Sequence, residues 1–578
     1  MAKDYSKFSH EELIKYIEEL QHQLKSEKYG LYWDKTIERD INVQKLINNI
    51  PVLKRDNELF MGGTTNNILI EGDNIQSLIS LNMICNFGMV DVVYIDPPYN
   101  TGNKDFKYND SYVDSDDGFF HSKWLSFMNE RLLLCRNLMK DDAVIFISID
   151  DNEYANLKLL CDSIFGEQNF IVNMIITSAP AGTQSSVDFA QQHSYCLVYR
   201  KSAKFRSNYT KLTEEEIKEK YSYGKDSKGR FYIERIWKRG IGGRMEDVPS
   251  LHFPVWYNVK TKEILIDEEI NDRQENDFIK IIPYQTIGVL GRWTWSREKM
   301  IREKDHLIVV QVAGEWKLHK KVYETEDKGR KPYSIIGSKL GRTELGSLEL
   351  KEIMNDKVFD YPKYSQFIKY LISLHSNSNG VVLDFFAGSG TTGQAVLELN
   401  KEDGGNRRFI LCTNNENNIC TDVTYPRLKT VITGIRPDGT KYSDGIPANL
   451  IYYKTDFIKD SNNTDQAKYC LVEKVDELLC ISEDIFVQLE RNDYSSHYVS
   501  NDETRHMFIY SDYYNETKFN EFKQRVLNTS GTKVVYIFSS DNNVDDTLFE
   551  GIKDVEVKPI PSKIYEIYKE IVEDIKRG

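Results

Sequence analysis

Apolar and polar positions along this chain follow two rhythms, separated by a stretch that follows neither. Residues 9–27 open with a Ser9/Glu12 capping-box pair, then place Leu13, Ile17, Leu20 and Leu24 at alternating four- and three-residue steps. That predicts an amphipathic helix, packed on the body of the protein or paired with another chain. From Asn67 onward short apolar runs alternate with segments of helical period. NILIEGD predicts a strand ending at Gly72-Asp73, NIQSLISLNMICNF a helix, and VDVVYID a strand apolar on both faces that ends at Asp96. HSKWLSFMNERLLLCRNLMK and AVIFISID repeat the helix and the strand, the latter ending at Asp150. Strands apolar on both faces belong to a parallel sheet covered by helices, with ligands at the carboxyl ends of the strands.

Between residues 200 and 345 the alternation stops, and glycines, aromatics and basic residues mix around short strands. It resumes with a helix, YSQFIKYLISL, a strand, GVVLDFFAG, a helix from Thr391 to Asn400, and a strand, RRFILCTNNE. A further α/β-like piece with strands such as TKVVYIF follows residue 460. The expected domains are an N-terminal helical region (1–60), half of a core (61–199), an inserted domain (200–345), the other half of the core (346–459) and a C-terminal domain (460–578). No internal repeat and no long low-complexity tract interrupts this plan.

Composition narrows the class. A chain of 578 residues exceeds one ordinary core, and 40% hydrophobic with 28% charged residues is ordinary for a soluble protein. There is neither a membrane-length apolar run nor the apolar core of a signal peptide, so a cytoplasmic protein is expected. The 8 cysteines form no Cys-x-x-Cys pair and sit mostly in apolar segments, which reads as reduced core thiols; no metal is expected. No Pro-Cys dipeptide exists, so the usual nucleophile of C5-cytosine methylation has no candidate. The net charge of -14 is uneven. Residues 201–345 hold 30 Lys and Arg against 23 Asp and Glu, an excess of seven that leaves -21 on the rest. One locally positive segment of an acidic protein can bind phosphates.

Two strand-end motifs carry chemistry. Asp96-Pro97-Pro98-Tyr99 follows a buried strand, and its prolines stiffen the turn. A base amine is nearly planar because its lone pair is delocalised into the ring. Accepting its hydrogen bonds, through Asp96 and a proline-held carbonyl, returns that lone pair to nitrogen, while Tyr99 can stack on an extruded ring. Phe386-Ala387-Gly388-Ser389-Gly390-Thr391-Thr392 follows the strand Val381–Asp384. Its glycines permit a tight turn, and Ser389, Thr391 or Thr392 can cap the next helix. The free N–H groups of such a turn favour a carboxylate or phosphate, which leaves nucleotides and S-adenosylmethionine as candidates. Asp384 could hold an ammonium; Glu416 could hold ribose hydroxyls and Asp73 an adenine edge, both against the plain alternative of a strand-end turn. No Gly-Lys-Ser/Thr phosphate loop is present, so no ATP-driven motor is expected. The catalytic motif precedes the cofactor motif, so the expected fold is a circularly permuted, doubly wound Rossmann-like sheet with an inserted domain and an extra C-terminal α/β region.

DVVYIDPPYNTGNKDFKYNDSY, FISIDDNE, FDYPK, DFFAGSGTTGQAV and TYPRLK resemble the modification subunits of type III restriction-modification systems, which are β-class N6-adenine DNA methyltransferases. The resemblance runs over roughly residues 28–460. It implies S-adenosylmethionine as cofactor, adenine in double-stranded DNA as target, and a target-recognition role for the insert. It implies base contacts from Asp96, Pro97, Pro98 and Tyr99, and cofactor contacts from Asp73, Asp384, Phe386, Gly388, Ser389, Gly390, Thr391 and Glu416. FDYPK, ending at Lys363, resembles the segment that closes the cofactor pocket. A homodimer and a separate helicase-nuclease partner are also implied. N4-cytosine methylation is the alternative within the class, and a DNA-binding specificity subunit for a partner nuclease the alternative outside it. Asp rather than Ser before the two prolines favours adenine by resemblance.

In the insert, Arg235, Trp237, Lys238 and Arg239, and then Arg292, Trp293, Trp295 and Arg297, interleave basic and aromatic groups. Arginine can read guanine or grip phosphate, and tryptophan can stack on bases or wedge the duplex. Polar residues of SAPAGTQSSVDFAQQH are further candidates for DNA contact. Glu556-Val557-Lys558, downstream of Asp545 and Asp546, faintly resembles a nuclease metal site but reads better as charge alternation on a strand.

Overall fold

The architecture comes from a computed structural model. It describes residues 33, 45–46 and 48–577, apart from 63–65, 85–87, 103–104, 109–110, 183–187, 267–276, 287, 460–466, 468–469, 473, 513–514, 539–545, 550–553 and 561. The helix expected at 9–27 lies outside the described residues, as does part of SAPAGTQSSVDFAQQH. The chain divides into two compact units, one of residues 1–208 with 333–578 and one of residues 209–332.

The larger unit is built on a ten-stranded sheet. Its strands are β1 (Ile50–Arg55), β2 (Asn66–Glu71), β3 (Val90–Ile95), β4 (Met139–Ile149), β5 (Phe170–Thr177), β6 (His193–Arg200), β7 (Ile335–Ile336), β8 (Val381–Asp384), β9 (Arg408–Thr413) and β10 (Asn449–Ile458). Their order is β1-β10-β2-β9-β8-β3-β4-β6-β5-β7. The six strands from β10 to β4 run parallel, whereas β1, β6 and β5 make antiparallel pairings toward the edges. The parallel, doubly wound expectation therefore holds at the centre and fails at the edges. β3 shows why the centre was legible: all six of its residues are buried, so it reads as one apolar run. β8 and β3 are neighbours in the sheet although about 290 residues separate them, which is the permutation in structural form.

Helices α1 (Asn74–Ile84), α2 (Phe120–Leu138) and α3 (Tyr154–Phe165) follow β2, β3 and β4. After the smaller unit come α4 (Thr343–Met354), α5 (Ser365–Ser373), α6 (Thr391–Asp403) and α7 (Tyr425–Thr433). Residues 75–84 of α1 are all buried, because α1 shares one apolar cluster with the sheet and with two C-terminal helices, α8 (Asp476–Glu483) and α10 (Ser562–Arg577). Tyr453 donates to Glu477 at 3.0 Å across that seam, and Tyr568 donates to the Leu46 carbonyl. The region after residue 460 thus shares the larger unit's core instead of packing as a separate domain. Its own sheet runs Val487–Arg491, Ser495–Val499, Arg505–Tyr510, Thr532–Phe538, Val555–Ile560, with α9 (Glu516–Asn528) between the third and fourth strands. On the last of these strands, where the sequence shows charge alternation, Lys558 bridges Glu483 at 2.9 Å and Glu556 at 3.3 Å.

The smaller unit carries a four-stranded sheet, Leu307–Val312, Glu315–Tyr323, Gly229–Arg235, Gly224–Asp226, and a three-stranded one, Ile264–Ile266, Val255–Asn258, Phe278–Ile281. Its core gathers Ile236, Phe253, Val255, Trp293 and Leu318. No helix among the described residues is long and apolar enough to cross a membrane.

Candidate active site

The turns after β2, β3, β8 and β9 meet at one cavity of about 600 Å³, at the carboxyl ends of parallel strands where ligands of such sheets bind. Asp96, Pro97 and Pro98 form part of its wall, and Asp73, Phe386 and Glu416 another part. Asp96 is held from two sides. Tyr99 donates its hydroxyl to Asp96 Oδ1 at 2.9 Å, and Lys363 Nζ lies 3.0 Å from the same oxygen. Lys363 also donates to the Tyr99 hydroxyl at 2.8 Å, closing a triangle. Burial, reinforced by the Asp96 charge, pushes the Tyr99 phenol well above its ordinary value. Below, the indole N–H of fully buried Trp124 donates to the Pro98 carbonyl at 2.8 Å and fixes the turn to α2.

Tyr99 turns its hydroxyl onto Asp96 and so orients the carboxylate. Lys363 reaches the Asp96 turn, while Phe359, from the same FDYPK segment, lines the cavity.

The glycine-rich loop divides in the same manner. Phe386 and Gly388 face the cavity. Asp384 does not: it is 2% exposed and accepts from the Phe386 N–H at 3.0 Å and the Thr392 hydroxyl at 2.5 Å. Burial raises its carboxyl to about 7. The hydroxyls of Ser389 and Thr391 accept from buried Arg427, at 2.9 and 2.7 Å, and no side chain caps α6. The cap residue is Gly390 itself, with φ 78°. A Cβ there would meet the Thr424 methyl at 3.1 Å, whereas a Cβ on Gly388 (φ 48°) would find nothing nearer than Phe359 at 3.6 Å. Gly390 therefore serves the turn and its packing, and Gly388 the cavity.

Around the rim, Asp73 Oδ1 accepts from the Ile75 N–H at 2.9 Å, capping α1, and lies 3.4 Å from buried Arg131. Arg131 also holds Asn74 at 2.6 Å and stacks on Phe127, whose ring lies 6.0 Å from Phe386. Glu416 pairs with Lys107, which lies 4.6 Å from the centre of the Tyr112 ring. Lys107 and Tyr112 belong to a short hairpin after the Asp96 turn, and both face the cavity. They went unnoticed in the sequence because a two-residue strand has no periodicity. Behind the turn, Glu153 is fully buried and accepts from Asn100 at 2.5 Å and Asn156 at 2.7 Å, with His121 Nδ1 at 2.7 Å. Asn100, at φ 57°, directly follows Tyr99.

The sequence model of a DNA methylase family matches residues 90–424, which span both turns and the whole insert. This chain belongs to that family of DNA methylases. The type II methyltransferase M.KpnI of Klebsiella pneumoniae is 34% identical over 402 residues, 69% of this methylase and 92% of that protein. The EcoPI Mod subunit of a type III restriction-modification enzyme, from Escherichia phage P1, is 32% identical over 71% of this chain and 67% of its own. The EcoP15I Mod subunit of Escherichia coli is 30% identical over 70% and 67%.

In the methylase's smaller unit the sequence-named residues separate by burial. Trp293 is a core residue, 1% exposed, donating to the Phe253 carbonyl at 2.8 Å. Trp237 packs edge-on against His319, and Trp295 lies under Lys299. None of the three indoles is an exposed stacking face. Arg292 donates to the Gly242 carbonyl at 2.6 Å, and Arg297 stacks over Phe253. Arg235, Lys238 and Arg239 are exposed. Among the described residues, Asp91, Asp142 and His375 come close enough together for a metal, but Asp91 already accepts from Asn377 and Val381 and bridges Lys140.

Proposed function

We propose that this methylase transfers a methyl group from S-adenosylmethionine to the N6 amine of adenine in a specific sequence of double-stranded DNA, as the modification component of a restriction-modification system. The observation that carries the reading is Asp96: a strand-end carboxylate at the cavity wall, oriented by Tyr99 and Lys363, beside the glycine loop.

The cavity fits the cofactor in kind. Phe386, Phe127 and Phe106 offer apolar faces for a purine, Asp73 and Glu416 offer acceptors for hydroxyl, amino or ammonium groups, and Gly388 leaves room for close approach. When bound, S-adenosylmethionine supplies an electrophilic methyl. The chain's own part is to shape the nucleophile. Asp96 and the Pro97 carbonyl accept the two N–H bonds of the adenine amine, which localises its lone pair on nitrogen. Tyr99 and Lys363 hold one Asp96 oxygen in that orientation, which leaves the other for the amine. No strong base is required, because the methylated ammonium product is itself acidic and Asp96 can take its proton.

We infer that the inserted segment 200–345 recognises the DNA sequence, supported by exposed Arg235, Lys238 and Arg239 and by the excess of seven Lys and Arg over residues 201–345. We infer a homodimer, which light scattering would test, and, from relatives that are Mod subunits of restriction-modification enzymes, a separate restriction subunit, which co-purification would test. For the reaction, purified protein is given labelled S-adenosylmethionine and plasmid DNA without ATP, followed by base-resolved sequencing. N6-methyladenine at one sequence is expected. Methylcytosine would convert the reading to N4 chemistry, and unmodified DNA would remove it.

A further inference from the structure

In the smaller unit, Lys238-Arg239-Gly240-Ile241-Gly242-Gly243-Arg244 makes a loop whose tip is an isoleucine with 101% relative exposure. An exposed apolar side chain alone is ordinary. This one is set on a built support. Gly240 and Gly242 flank it in left-handed conformations (φ 74° and 72°), where an added Cβ would meet open space. Below the tip the backbone is pinned: Gly243 N–H donates to the Gly240 carbonyl at 3.1 Å, Arg292 grips the Gly242 carbonyl at 2.6 Å, and Arg244 bridges Gly291. Gly243 is buried so tightly that a Cβ would lie 3.0 Å from the Lys238 carbonyl. The side chains of Lys238, Arg239 and Arg244 are exposed around the isoleucine.

A fixed loop with cations at its shoulders and one branched apolar side chain at its apex has the chemistry of a minor-groove wedge. Cations hold phosphates while the apolar group parts a base step. An enzyme that acts on a base amine must take that base out of the stack, which costs a few kcal/mol. We propose that Ile241 enters the base stack of duplex DNA and lowers the cost of extruding the target base, with Lys238, Arg239 and Arg244 on the flanking phosphates. This rests on the DNA-methylating reading above.

The test uses the full-length protein and the site mapped by sequencing. Ile241→Ser and Ile241→Leu are compared with wild type on three duplexes: fully paired, mismatched at the target base, and carrying 2-aminopurine there. Ile241→Ser should slow methylation of the paired duplex by roughly tenfold or more and abolish the 2-aminopurine fluorescence gain, while the mismatch returns its rate to within about twofold of wild type. Ile241→Leu should retain most of the paired-duplex rate. An unchanged melting temperature is expected, since Ile241 contributes nothing to the core. Equal rates for Ile241→Ser and wild type on the paired duplex would overturn the wedge. So would an equal loss on paired and mismatched DNA, or a smaller particle in light scattering with methylation unchanged, which would mark a contact between copies. Wild-type protein that methylates no DNA would remove the reading beneath the wedge, and the wedge with it.

Discussion

Asp96 and Asp384 lie at the carboxyl ends of adjacent parallel strands, Asp96 just past β3 and Asp384 as the last residue of β8, and each opens a turn of unusual composition. Their surroundings differ. The Asp96 side chain is 27% exposed at the cavity, with one oxygen engaged by Tyr99 and Lys363. Asp384 is 2% exposed, both oxygens engaged by its own loop. The first turn presents its carboxylate, and the second uses its carboxylate to shape the backbone that presents Phe386 and Gly388. Two residues of one type at neighbouring strand ends thus differ in what the following loop does with their lone pairs: one faces the cavity and the other shapes the turn.

The comparison is broken most directly at Asp96. Asp96→Ala should lower kcat by roughly a thousandfold, within the range for loss of a group that manages a proton and aligns a nucleophile. Cofactor affinity, measured by calorimetry, should stay within about threefold. Normal turnover in this variant would assign Asp96 to scaffold and empty the contrast of meaning. Next is the turn beside Asp384. Gly390→Val imposes left-handed backbone on a β-branched residue and crowds Thr424, so a loss of about 2–4 kcal/mol in unfolding free energy is expected. Gly388→Ala should cost about 1 kcal/mol in stability for its left-handed backbone and weaken cofactor binding more than it weakens the fold. A folded, stable Gly390→Val protein would show that the second turn is looser than its hydrogen bonds imply.

How much of this could be read from the sequence follows from the same contrast. Strand ends were legible because β2, β3, β8 and β9 are buried on both faces and stop at Asp or at polar turns. The side-chain partners of those ends were not. That Lys363 reaches the Tyr99 hydroxyl, or that Arg427 donates to the hydroxyls of Ser389 and Thr391, depends on residues the fold brings together from 264, 38 and 36 positions away. Lys107 and Glu416 meet across 309 positions. In the smaller unit composition misled, because basic and aromatic residues in alternation read as one surface. Burial then sent Trp293 inward and left Arg235 and Arg239 outside. The antiparallel edges β5 and β6 escaped notice because half-buried edge strands lack the continuous apolar run of the centre.

Lys363 sharpens the division, since the sequence placed it with the cofactor and the structure places it on Asp96. Lys363→Met keeps the stem and removes the charge. It should reduce kcat about tenfold, the scale of one charge-assisted hydrogen bond, with cofactor affinity changed less than about twofold. If cofactor affinity falls tenfold while kcat holds, Lys363 belongs to the cofactor pocket and the triangle with Tyr99 is incidental.

The smallest expected effect tests the scaffold role of Asp384 by its proton. Its carboxyl is raised from 3.8 to about 7 by burial, so the folded protein binds this proton more tightly than the unfolded chain does. Between those two values stability falls as pH rises, because the unfolded state releases a proton that the folded state keeps. Above about 7 the full penalty of a buried charge is present, on the order of 1–4 kcal/mol. Asp384→Asn can accept from the Phe386 N–H and meet the Thr392 hydroxyl with its amide, but carries no charge at any pH. Its melting temperature should match wild type near pH 4 and exceed it by a few degrees at pH 8, with methylation reduced far less than in Asp96→Ala. A variant that melts lower than wild type at pH 8 would mean that the charge on Asp384 stabilises the glycine turn. Asp384 would then resemble Asp96 in needing its ionised form.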